Sequence, residues 1–209
     1  MAGMDRRTLL QGLAALGVAS PFVLERAAAQ TPDEDLPFNV RIAIGAERRA
    51  AMAETYDASY QRLAYPMGDV ADDRGVCADT VIRAFRHAGV DLQVEVHEDM
   101  RANFASYPDN WGLRRPDRNI DHRRVPNLET LFRRRGGARR FSQTAGDYHA
   151  GDVVSWRLTG TTLPHIGIVT RAVKDGEPLV AHNIGRGTQM EPVLFAWPMS
   201  GWFRFDRWA

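Results

Sequence analysis

Near residue 140 the hydrophobic period of this chain of 209 residues changes, and that switch limits its fold more than any other feature. Upstream, apolar side chains recur at three- and four-residue spacing, as helices with one buried face require; downstream they alternate or run continuously, as strands do. The upstream pattern predicts a helix from about Gly45 to Leu63, carried by alanines, Met52, Tyr56 and Tyr60. A second runs from about Val76 to Ala88, with Asp72 or Asp73 as its cap and Gly89 just past its end. A third runs from Asp91 or Val96 to Phe104, and Asn127 caps a short fourth, LETLFRRR, which Gly136 and Gly137 end. The segments DVVSWRL, HIGIVTRAV, PLVAHNI and GWFRF read as strands, with MEPVLF as a further candidate. Helices first and antiparallel-looking strands later define an α+β domain, N-terminal helices packed on a C-terminal antiparallel sheet.

The first 29 residues follow a different logic. Arg6 and Arg7 precede an apolar stretch from Leu9 to about Leu24, and Ala27, Ala28 and Ala29 offer an A-x-A-like cleavage site. Glycines and Pro21 interrupt that stretch, which is short of the ~20 apolar residues of a spanning helix, so no stable membrane span is expected after cleavage. Arg6-Arg7-Thr8-Leu9-Leu10 resembles a twin-arginine export signal, which implies a periplasmic protein. Residues 30–44 are then expected to form a flexible leader, and residues 45–209 the domain. Of 27 basic and 26 acidic residues, cleavage removes Arg6, Arg7, Arg26, Asp5 and Glu25 and leaves 24 of each sign. That balance argues against nucleic acid as a partner, since such binding shows as a basic excess.

Export sharpens the meaning of Cys77, the only cysteine, because an oxidising compartment pairs thiols and this chain has no second one. Its helix-start position offers free backbone N–H groups that favour the thiolate and could also hold an oxyanion. A thiol nucleophile needs a histidine base, itself oriented by a third polar group. His87 is ten residues along the same helix, roughly 15 Å away at ~1.5 Å per residue, and is too far. His97 and His149 sit in polar, turn-like surroundings, whereas His165 opens the apolar run HIGIV and His182 interrupts PLVAHNI.

Taken in order, GVCADTVIRAF, AGDVVSW, HIGIV and LVAHNIG resemble the motif series of the NlpC/p-sixty superfamily of papain-like cysteine peptidases. More closely, YPMGDV, VHEDM, WGLRRPDRNIDHRRVPNL and HNIGRG resemble an exported bacterial family of unknown function placed within that superfamily. The resemblance spans about residues 66 to 205 and implies a papain-like NlpC-type fold. It also implies Cys77 as nucleophile, His165 as general base and His182 as the orienting group, with no cofactor. Where the superfamily commonly has Asp-Cys-Ser-Gly, this chain has Val76-Cys77-Ala78-Asp79.

The third position can be weighed by strand arithmetic. A two-residue turn at Asp175-Gly176 places His182 opposite Val169, on the same face as His165, which favours His182 over the runner-up Asn183. Yet Val169 is four residues from His165, ~13 Å along a flat strand, so contact requires twist, a bulge near Gly167 or a longer turn. Ten arginines between Arg114 and Arg140 form the other conspicuous feature. They read as a solvated face paired with Asp117, Asp121 and Glu129, or as a wall recognising carboxylate or phosphate, for which Asp121, His122, Arg123 and Arg124 are the candidates. A metal site is not expected from one cysteine and dispersed histidines. The expected function is cleavage of an amide in peptidoglycan or another envelope acyl substrate. Acyl transfer or lipid and ester hydrolysis on the same site is the first alternative, and a non-enzymatic envelope binding protein the second.

Overall fold

The computed structural model describes residues 33–208. The expected signal segment and the first residues of the leader lie outside that range. The described elements belong to a compact unit that runs from Thr31 to Ala209. Helix α1 spans Phe38–Ala50, α2 Cys77–His87, α3 Leu92–Asn103 and α4 Val125–Arg134. Strands β1 (Thr55–Tyr56) and β2 (Arg74–Gly75) form a small parallel pair. Strands β3 (Val153–Arg157), β4 (Pro164–Lys174), β5 (Glu177–Asn183), β6 (Thr188–Glu191) and β7 (Met199–Phe203) form an antiparallel sheet ordered β6-β5-β4-β3-β7. The structure is thus the expected α+β arrangement of helices and antiparallel sheet.

Helix α1 corrects the expected bounds at both ends. Phe38, Ile42 and Ala46 are one face of it and lie in the core, so residues 38–44 form its first two turns rather than a flexible leader. It stops at Ala50 because the next residues have stronger tertiary partners: Thr55 N–H donates to Asp73 O (2.7 Å) and Asp57 N–H to Gly75 O (3.1 Å). Tyr56 and Tyr60, whose spacing mimics a helix stripe, are 44% and 57% exposed. Helix α4 also begins earlier than expected, at Val125, with Pro126 in its first turn; Asn127 lies inside it and donates to Asp121 O.

Helices α1 and α2 cover one face of the sheet, where Val153, Ile166, Ile168, Ala181 and Phe203 meet Ile42, Val81 and Phe85. Phe85 stacks on Phe132 of α4 at 5.4 Å and meets Phe38 and Phe205 edge-on. The other face carries Val154, Trp156, Val169, Val180 and Trp202, closed over by Tyr148 and Leu194. Only the first part of the candidate strand MEPVLF is extended: β6 ends at Glu191, and Leu194 turns inward.

Strand β4 contains the irregularity that matters most. At the hairpin Lys174 pairs with Glu177 and Val173 with Pro178, as the two-residue turn requires, but farther on Val169 pairs with Val180 and Ile168 with Ala181. The strand therefore holds two extra residues in a bulge between Val169 and Val173. Arg171 N–H leaves the ladder there and donates to Glu47 Oε1 of α1 (2.8 Å). Shifting the register by two keeps side-chain parity and, continued by one residue, brings His182 opposite Gly167 instead of Val169.

Candidate active site

Cys77 is the first residue of α2, with Val76 at the cap position. Neither Asp72 nor Asp73 caps the helix, because β2 intervenes. Asp79 instead turns back and accepts the Val76 N–H at 2.7 Å, one half of a capping box. Arg123 holds the same carboxylate as a fork, Nε to Oδ1 at 2.8 Å and Nη2 to Oδ2 at 2.9 Å. Both side chains are 2% exposed. Arg123 also donates to Ser59 O and Asp57 O, so one guanidinium ties the start of α2 to the segment that follows β1.

That tie brings Tyr56 to the site. Its phenol is held above the ordinary value of 10.0, first by burial, with the Asp79 carboxylate acting in the same direction. Read as part of a helical stripe, Tyr56 gave no sequence signal of its place opposite Gly75, at the approach to α2. The side chain of Glu54, two residues earlier, is fully buried and receives Arg83 Nη1 (2.6 Å), Arg49 Nη2 (3.2 Å) and Thr188 Oγ1 (2.6 Å).

Cys77 is buried in the same core cluster as Val81 of α2 and Ile166 of β4. The Ile166 backbone N–H, immediately after His165, lies near enough to act on its charge, as do the N–H groups of Ala78 and of Cys77 itself. These donors favour the thiolate, but burial outweighs them and, with Asp79, pushes the thiol up to about 12. The depressed thiol pKa expected from a helix start is therefore absent in the resting site. Burial also pushes His165 down to about 3, and His182 adds to the effect. Both groups are therefore neutral at physiological pH.

His165 lies opposite Trp156 of β3 and stacks on it at 5.7 Å, while Trp197 meets it edge-on at 5.6 Å. Its Nε2 is 2.9 Å from Nδ1 of His182, and both rings are almost fully buried. Gly167 permits this approach: a Cβ there would stand 2.7 Å from Val180 Cγ1, 2.9 Å from Ala181 O and 3.1 Å from His182 Cβ. Among the described residues nothing hydrogen-bonds Nδ1 of His165, which leaves that nitrogen open. Asn183, the runner-up, faces the other way and donates to Gly75 O (3.2 Å) and Glu54 Oε2 (3.4 Å). Parity along β5 thus joins His182, not Asn183, to His165.

The expected recognition wall is mostly interior. Asp121, His122 and Arg123 are buried, and Asp121 accepts the Asp117 N–H and an Arg124 donor. With its guanidinium spent on Asp79, Ser59 and Asp57, Arg123 is a clamp within the protein and has no donor turned to a ligand. Arg124 lies over the Trp111 ring at 4.0 Å and lines a cavity of about 240 Å³ that Cys77, His165 and His182 do not line. Arg133, Arg134 and Arg135 pair with Glu129, Asp99 and Glu95, so that stretch is a paired face. Among the described residues no group of three His, Cys, Asp or Glu is placed to hold a metal ion, and no helix is long and apolar enough to cross a membrane.

A helix-start thiol whose neighbouring backbone includes the residue after His165, together with a buried histidine pair on β4 and β5, defines a candidate cysteine-nucleophile site, and the chain carrying it belongs to a known family. Residues 43–205 match the family described as Domain of unknown function (DUF1287). A relative from Escherichia coli (strain K12), Uncharacterized protein YijF, is 55% identical over 168 residues, which cover 80% of this chain and 82% of that protein. Among solved structures, NlpC1 and NlpC2 from Trichomonas vaginalis are similar at 14% and 13% identity, with TM-scores of 0.43 and 0.44. The matches cover 84% and 86% of this chain, which spans about half the length of either one (48% and 51%).

Proposed function

We propose that this chain is an exported cysteine hydrolase that cleaves an amide bond in cell-wall peptide. The observation that carries the reading is the junction at the start of β4: the Ile166 backbone N–H acts on the Cys77 thiol in favour of the thiolate, and Nε2 of the preceding His165 is 2.9 Å from Nδ1 of His182. The ordered resemblance of GVCADTVIRAF, HIGIV and LVAHNIG to NlpC-type peptidases supports the same assignment, and residues 1–29 supply the export signal.

The neutral resting pair sets the order of events. As Sγ attacks the substrate carbonyl carbon, the thiol proton passes to Nδ1 of His165, so the two charges arise together and stabilise each other. The carbonyl oxygen becomes an oxyanion held by backbone N–H groups at the start of α2, which have no intrahelical partner. His165 returns the proton to the amide nitrogen, the C–N bond breaks and the amine leaves a thioester on Cys77. Water, deprotonated by His165, then attacks the thioester, and the carboxylate product leaves as Sγ recovers its proton.

The test is digestion of purified muropeptides by the mature protein, read by mass spectrometry. New amine and carboxylate termini that vanish with Cys77→Ala support the reading. Cleavage that survives Cys77→Ala refutes the mechanism, and turnover of esters or phospholipids in place of muropeptides refutes the substrate.

A further inference from the structure

One face of the sheet carries a polar row across three neighbouring strands: His165 on β4, His182 on β5 and Glu191 at the end of β6. The register places them there. His182 pairs with Gln189 and Val180 with Glu191, so Glu191 sits diagonally from His182 on the same face, within reach of a long side chain. Its Oε2 is 3.0 Å from Nε2 of His182, a charge contact whose angle falls short of a hydrogen bond, and that buried nitrogen has no other polar partner among the described residues. The second oxygen, Oε1, is held by Arg186 Nη2 at 2.8 Å.

A carboxylate can only accept, so its approach to within 3.0 Å favours one setting of the protons along the row. Facing Glu191, Nε2 of His182 carries its hydrogen, so Nδ1 of His182 is the lone-pair nitrogen. Across the 2.9 Å contact Nε2 of His165 must then donate, which leaves Nδ1 of His165 with a lone pair. Among the described residues no hydrogen bond reaches that nitrogen. The opposite setting would put a hydrogen on Nδ1 of His165 and remove the base.

We infer that Glu191 is a positioning residue that sets the tautomer of both histidines and so makes His165 Nδ1 the proton acceptor, with Arg186 holding the carboxylate in place. It acts through His182 and does not touch substrate. The inference deepens the hydrolase reading in assigning a purpose to the row, but the proton positions it states are independent of turnover.

Histidine-selective ¹⁵N NMR at neutral pH tests it directly. In the wild-type protein both His165 and His182 should carry their proton on Nε2, in a single form. In Glu191→Gln, nearly isosteric and on a partly exposed strand end, the amide offers a donor as well as an acceptor. Forms protonated on Nδ1 should then appear at both rings together, while thermal unfolding confirms an intact fold. Glu191→Asp, which keeps the carboxylate, should restore the Nε2-protonated form. A proton on Nδ1 of His165 in the wild type, or both protons still on Nε2 alone in Glu191→Gln, overturns the inference. Correct protons in a protein that cleaves no muropeptide would refute the hydrolase reading and leave the relay standing.

Discussion

Acid should unfold this protein through its histidines before its carboxylates. His122 and His165 are both pushed down from the ordinary 6.5 to about 3 by burial, so the folded state holds them neutral while the unfolded chain protonates them below pH 6.5. His182 is lowered in the same direction. The folded state binds fewer protons than the unfolded one in that window, so stability is full above pH 6.5 and falls as pH drops toward 3. Each such group costs about 1.4 kcal/mol per pH unit once the unfolded histidine is fully charged. At pH 5, His122 and His165 together therefore remove about 4 kcal/mol, a large share of an ordinary domain's 5–15 kcal/mol. Asp57 and Asp99, held below 3.8, add their loss only in more acid solution. Urea unfolding followed by circular dichroism at half-unit steps from pH 7.5 to 4.5 measures the slope. His122→Gln, which removes one titrating group distant in function from the thiol, should reduce the loss at pH 5 by about 2 kcal/mol. A stability that is flat between pH 7 and 5, or a slope unchanged in His122→Gln, would refute the reasoning.

Two further outcomes concern the scaffold. Arg123→Met leaves Asp79 buried without its partner and should cost about 3–5 kcal/mol in urea unfolding; adding Asp79→Asn should recover part of that loss, and simple additivity would show the pair uncoupled. Gly167→Ala forces a Cβ against Val180 and Ala181 and should cost about 1–3 kcal/mol while parting His182 from His165, visible as a change in their ring ¹⁵N shifts.

How much of this was legible in the sequence follows the range of the interactions. Local signals held: Cys77 at a helix start, Gly89 at φ +91° just past its end, and His165 and His182 on neighbouring strands with the right parity. The missing step was the bulge in β4, because its extra residues are stabilised by Glu47, 124 positions from Arg171, and no local pattern encodes that bond. The arginine-rich stretch misled for the same reason. Arg123 looks like a surface charge until Asp79, 44 positions away, claims it. Tyr56 was hidden by a spacing that helices and this extended segment share. The pKa expectation failed because a helix start favours charge only where burial does not oppose it more strongly.

The central claim is that Cys77 forms a covalent acyl intermediate with His165 as its base. Intact-mass analysis of the mature protein quenched in acid after mixing with muropeptides tests it most directly. The account predicts a thioester adduct on the peptide containing Cys77, transient in the wild type and absent in Cys77→Ala, with its formation suppressed in His165→Ala. Product formation without any adduct on Cys77, or adduct formation at the wild-type rate in His165→Ala, would contradict it.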